Sequence, residues 1–130
     1  MNKLILAMLL AVVSSSALAE WVNAGRSSDD SVTAYADPAT IRKEGDMVIM
    51  SVLFDYKTAQ AGDGKPYLSA KVQSEYDCIE WQWRTPSASF HSGNMGEGEI
   101  VNSTTYPGKG MEVPRNTSLE TLWKIACGKQ

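Results

Sequence analysis

The stretch YLSAKVQSEYDCIEWQW, from Tyr67 to Trp83, decides how the rest of the chain is arranged. In its first part Leu68, Ala70, Val72, Tyr76 and Cys78 share one parity, and Lys71, Gln73, Glu75 and Asp77 share the other. Side chains in a strand point to alternate faces, so this pattern predicts a half-buried strand, dry on one side and wet on the other. The strand delivers Cys78 to the dry face. Beyond Cys78 the pattern breaks, because Ile79, Trp81 and Trp83 are apolar where the alternation requires polar residues.

Two arrangements fit that break, and both stay open at this level. A β-bulge near Asp77-Cys78 would reset the parity and take both tryptophans into the core. Without it, Glu80, Gln82 and Arg84 join the dry face, while Ile79, Trp81 and Trp83 project from the other as an aromatic ladder. Burying one tryptophan removes on the order of 150–250 Å² from water, and a monomer rarely leaves such a patch open. The ladder therefore implies a partner, either a second copy of the chain or another protein, meeting Ile79, Trp81 and Trp83.

The chain has 130 residues and a formal net charge of -3. That length suits one domain with its own core. Lys3, the apolar run Leu4 to Val13 and the Ala17-Leu18-Ala19 triplet form the pattern of a signal peptide, residues 1–19, cleaved before Glu20. The run is too short to span a bilayer, and nothing later is apolar for long enough, so no membrane insertion is expected after cleavage. With glutamate rather than cysteine at position 20, no lipid anchor is expected there either. Loss of Lys3 takes the charge from -3 to -4. A mildly acidic domain whose longest basic run is Arg42-Lys43 is poorly suited to nucleic acid or anionic lipid.

Two cysteines in an exported chain predict a disulfide, here Cys78 to Cys127. A loop of about 50 residues closed in this way constrains the unfolded chain by roughly 4 kcal/mol, before native strain is subtracted. Neither a metal site nor a redox pair has this spacing, and the chain holds a single histidine.

Outward from the central stretch, Glu20 to Ala24 and Val32 to Ala36 are expected to be short strands. Asp37-Pro38-Ala39-Thr40 has the residues of one helical turn, with Asp37 as cap and Pro38 in the first position. Glu44-Gly45-Asp46 marks a hairpin turn. Met47 to Tyr56 is apolar on both parities and is expected to be a central strand covered on both sides. Lys57 to Pro66 is expected to be a loop. Thr85 to Phe90, interrupted by Pro86, and Glu99 to Tyr106 are further strands, separated by the glycine-rich turn His91 to Gly98. Thr117-Ser118-Leu119-Glu120 fits a capping box, Leu119, Leu122, Trp123 and Ala126 mark one helical face, and Gly128 ends the helix. Cys127 borders that face, so a disulfide would fasten the helix to the dry side of the sheet.

Catalytic motifs do not stand out. Gly93-x-x-Gly96-x-Gly98 lacks the helix and lysine of a phosphate loop, and Glu97 and Glu99 would repel phosphate. His91 has no neighbouring ligand set. Neither a metal, a cofactor nor a catalytic residue is expected.

A family resemblance rests on Ser69-x-Lys71, then Glu75-Tyr76-Asp77-Cys78, then Gly93-Asn94-Met95-Gly96-x-Gly98, then Pro114 and Leu119-x-x-Leu122-Trp123-x-x-x-Cys127. This combination resembles the surface-adhesin protein E family, small exported proteins of Gram-negative bacteria, from about Trp21 to Cys127. The resemblance implies an α+β domain over residues 20–130. It would be an antiparallel sheet of about six strands, with a C-terminal helix packed on one face and tethered by the disulfide. It also implies a dimer that binds host matrix and serum proteins. The chain departs from the family's namesake in having no lipidation cysteine and no strongly basic Cys78 strand.

The expected function is thus a non-enzymatic exported binding module, periplasmic or at the outer surface. Its expected partner is a second copy, a host matrix protein or an envelope component, met around Trp81 and Trp83. An envelope structural or stress protein without host binding is the first alternative. A small exported enzyme using Asp77, Glu80 or His91 is the second.

Overall fold

The computed structural model describes residues 20–61, 64–105 and 108–129. The expected signal peptide, 1–19, lies outside them. Six strands run side by side in chain order, each antiparallel to the next: β1 (Val22–Arg26), β2 (Val32–Glu44), β3 (Met47–Gln60), β4 (Tyr67–Asp77), β5 (Gln82–His91) and β6 (Ile100–Thr105). A two-residue strand, β7 (Met111–Glu112), pairs with Gln82 and Trp83 of β5. Among the described residues one α-helix, α1 (Ser118–Cys127), follows the sheet. The expected α+β class, strand number and terminal helix are all present.

β3 takes its central place because it is apolar on both parities. Val48, Met50 and Val52 face α1 and are buried with Tyr76, Leu122, Trp123 and Ala126. On β1 and β2 the residues buried in the cluster with the helix are Ala24, Ala34 and Ala36, small side chains that let it settle close to the sheet. A Cβ at Gly25 would lie 3.5 Å from the Cβ of Ser118. Thr117 caps the helix by accepting from the Glu120 amide, and Gly128 ends it at φ 66, a left-handed value that suits glycine.

The opposite face of β3 buries Ile49 and Leu53. Leu53 is covered by a single 3-10 turn, Asn94–Gly96. Asp55 anchors this turn by accepting from the Asn94 side chain at 3.0 Å and the Met95 amide at 2.7 Å. The Ser69 hydroxyl donates to the Gly93 carbonyl at 2.6 Å and accepts from the Gly96 amide at 2.8 Å. At Gly96, φ is 73 and a Cβ would come within 2.7 Å of the Lys71 Cε, so the turn sits directly on the sheet. The glycines serve turn geometry, as the sequence suggested.

Three local expectations are corrected. Asp37 to Thr40 is not a helical turn but a wide irregularity inside a thirteen-residue β2, where pairing moves from Asp37↔Ser51 to Arg42↔Ile49. The Asp37 carboxylate accepts from the Ala39 amide, and the Thr40 hydroxyl bridges the Asp37 carbonyl and the Ser51 amide. These side-chain bonds replace the ladder bonds that Pro38 interrupts. Secondly, β3 continues to Gln60 rather than ending at Tyr56.

Thirdly, Tyr67 to Trp83 is not one strand. It turns back on itself between Asp77 and Gln82, which pair with each other, and Tyr76 then faces Trp83. The turn, rather than a bulge at Asp77-Cys78 or an unbroken strand, accounts for the lost alternation. A parity-resetting bulge does exist, but further on. Gln73 pairs with Ser87 and Glu75 with Arg84, so β5 has one extra residue around Thr85-Pro86. Proline is tolerated there because a bulged residue has no ladder partner to lose.

Candidate interaction site at the disulfide corner

The β4–β5 turn is built by Asp77. Its carboxylate accepts from the Ile79 and Glu80 amides, both at 3.0 Å, which folds the chain back within four residues. Trp81 closes the turn at φ 58, a left-handed conformation that a tryptophan rarely adopts. Three contacts hold it there. Its carbonyl accepts from the Val113 amide at 3.1 Å. Its ring meets that of Trp123 at a centroid distance of 3.8 Å and an angle of 69°. The Arg115 guanidinium lies over the Trp81 ring, 4.1 Å from its centroid.

Within the same turn Cys78 is bonded to Cys127, with Cα atoms 5.6 Å apart and a sequence separation of 49. The disulfide predicted from the cysteine count is therefore formed. Trp123 adds a second tie, its Nε1 donating to the Asp77 carbonyl at 3.0 Å.

Of the three residues expected to meet a partner, Trp81 and Trp83 are half-buried against the core cluster that lies beneath α1. They do not form a ladder on the uncovered face. Ile79 alone projects, with 83% of its surface exposed. It borders a groove of about 590 Å³ between the β2–β3 hairpin, the β4–β5 turn and the end of α1. Ile41, Met47, Ile125 and the disulfide supply its apolar lining, and Lys43, Asp46 and Lys129 its polar rim. Ile41 is also exposed, at 37%. Sequence reading missed Ile41 and Ile125. An isoleucine alone in the charged hairpin Arg42-Lys43-Glu44 was the available signal for the first.

The residues of the enzyme alternative are not brought together. Asp77 and Glu80 lie in the β4–β5 turn, whereas His91 pairs with Ser69 near the other end of β4. Eight residues of strand separate the two ends, about 26 Å. His91 is buried, with Nε2 2.9 Å from the Ser89 hydroxyl. Burial, and then the nearby Lys71 charge, hold its pKa below the usual 6.5. Among the described residues no group of three or more His, Cys, Asp or Glu is placed to hold a metal ion. No helix among them is long and apolar enough to cross a membrane.

What these features define is a disulfide-stapled α+β sheet domain with an apolar corner groove. The sequence model of the surface-adhesin protein E family matches residues 21–128, and the chain belongs to that family. It is an adhesin-type surface protein by that membership. Its fold is similar to that of Haemophilus influenzae protein E. One crystal form of that protein, form II, superposes with a TM-score of 0.61 at 12% identity, covering 83% of this chain and 87% of the other. A structure from a non-typeable strain gives 0.53 at 13% identity, covering 84% of each chain. At such identity the likeness is one of fold. No curated protein matches the sequence.

Proposed function

We propose that the mature chain, freed of residues 1–19, is a non-enzymatic module that binds proteins through the disulfide corner. Ile79 is its central apolar contact, and Trp81 and Trp83 form the aromatic backing that holds it in place. The observation that carries this reading is Ile79 itself, 83% exposed on a turn fixed by two hydrogen bonds and a disulfide. A rigid turn loses little conformational freedom on binding, so an apolar side chain presented there contributes most of its burial to affinity.

Family membership supports an exported surface location and a host matrix protein as partner. A second copy of the chain and an envelope component are the other protein partners the groove suits. Wild type and Ile79→Asp are to be compared in two assays: sedimentation, and binding to immobilised matrix proteins alongside periplasmic extract. The proposal expects a partner in one of these assays, lost on Ile79→Asp. A monomeric wild type that captures nothing, or a partner bound equally by both proteins, would overturn it.

A further inference from the structure

The face of the sheet turned away from α1 carries a different chemistry. Pairing register lines up Asp37, Ser51, Gln73, Ser87 and Thr105 straight across β2 to β6, and Trp21 extends the row at the β1 side. The next row contributes Lys71, Ser89 and Ser103. Together they line an open trough of about 560 Å³, within the size range of small-molecule sites.

Several polar groups in it lack partners. Asp37 is only 6% exposed, yet the described residues supply it with no ion pair. One of its carboxylate oxygens accepts from the Ala39 amide, and no bond engages the other. Gln73 donates its side-chain amide to Ser51, and its side-chain carbonyl is free. The hydroxyls of Ser87, Ser103 and Thr105 have no side-chain partner among the described residues, and the Lys71 ammonium has no ion pair among them. The second Asp37 oxygen and these hydroxyls open onto the trough, where they are available to pair with the polar groups of a ligand.

The backbone of this floor is committed to the ladder, so a ligand is read by side chains alone. That disfavours an extended peptide, which gains affinity by pairing with a free strand edge. Hydroxyl, amide and carboxylate groups beside an indole ring instead match a polyhydroxylated ring, whose apolar face stacks on an aromatic side chain while its hydroxyls donate and accept. Lys71, the one cation in the trough, adds a preference for negative charge. Strands are spaced by about 4.8 Å, so Trp21 beside β1 and Lys71 on β4 lie roughly 14 Å apart, the span of two or three sugar rings.

We infer that this trough binds a short acidic oligosaccharide, with one sugar ring on Trp21, hydroxyls on Asp37 and Gln73, and a carboxylate on Lys71. The site lies on the face opposite α1. It stands or falls independently of the Ile79 groove.

The test uses the mature protein titrated with sialyllactose, a hyaluronan tetrasaccharide and neutral lactose, followed by amide chemical shifts. Expected is saturable binding of at least one acidic sugar, with shifts centred on Ser87 and Ser103 and lactose weaker by on the order of tenfold, the loss of one charge-assisted bond. Trp21→Ala and Lys71→Gln should each weaken the acidic ligand by a similar factor, whereas Ile79→Asp should leave it unchanged. Both trough substitutions are at non-core positions, and unperturbed spectra elsewhere establish that the variants fold. The proposal is overturned by binding of none of the three sugars, by lactose binding as tightly as the acidic sugars, or by wild-type affinity in both trough variants.

Discussion

The Trp123 indole donates to the Asp77 carbonyl at 3.0 Å, one residue before the cysteine that α1 also holds covalently. Helix and turn are thus joined twice, by a polar bond and by sulfur. Trp123→Phe keeps most of the apolar surface but leaves the Asp77 carbonyl without its donor. The expected cost is about 1–3 kcal/mol in urea unfolding, with the disulfide intact.

The covalent tie should matter more. Replacing both cysteines, Cys78→Ser with Cys127→Ser, is expected to lower stability by about 2–4 kcal/mol. The same substitutions should raise amide exchange in α1 more than in β3, because the helix is the element that the tie secures. Unfolding followed by far-ultraviolet dichroism, together with exchange mass spectrometry, measures both.

Ser69 holds the turn that roofs Leu53, through one donated and one accepted bond. Ser69→Ala strands the Gly96 amide and the Gly93 carbonyl in a part-buried site. A loss of about 1–3 kcal/mol is expected, with exchange protection falling at Gly96 and Met95.

His91 gives the stability a pH dependence of known sign. Burial and the Lys71 charge lower its pKa in the folded chain below 6.5. As pH falls from about 6.5 toward that lowered value, the unfolded chain takes up a proton that the folded chain does not, so stability declines. Above 6.5 both states are neutral there and the contribution is complete. Unfolding free energies of wild type and His91→Gln should therefore diverge in slope below pH 6.5, with wild type the steeper. Parallel slopes would remove His91 from the account.

Ile79→Asp should change unfolding free energy by no more than about 0.5 kcal/mol, because the side chain is exposed and has no core contact to lose. A partner lost by this variant is then lost through the surface and not through misfolding. Thermal denaturation alongside the binding assays checks it.

The legible parts of the fold were those set by local pattern. The alternation of β4, the double-sided apolarity of β3 and the Thr117 and Gly128 caps each follow from neighbours in sequence. Errors arose where one local signal serves two geometries. Asp37 with Thr40 has the chemistry of a helix cap and equally that of a side-chain-bonded bulge, and only pairing of β2 with β3 selects the second. The turn at Asp77 to Trp81 contains no glycine or proline and places a tryptophan at positive φ, so nothing local marked it. Its cause is tertiary, since Trp123, Arg115 and Val113 hold Trp81 there. The corner groove drew on three segments distant in sequence, and the polar trough on the register of five strands and the residue before β1. Neither kind of neighbourhood can be read along one chain segment.

The bond between Cys78 and Cys127 makes a ring of the chain that contains β5, β6, β7 and α1. One proteolytic cut anywhere inside this ring opens the backbone but releases no fragment, since sulfur still joins the two ends. The hairpin loops of this half of the protein can be nicked without shedding it. A single cleavage inside the ring is thus survivable, and loss of a segment from within it requires two cuts there, or one cut and a reductant.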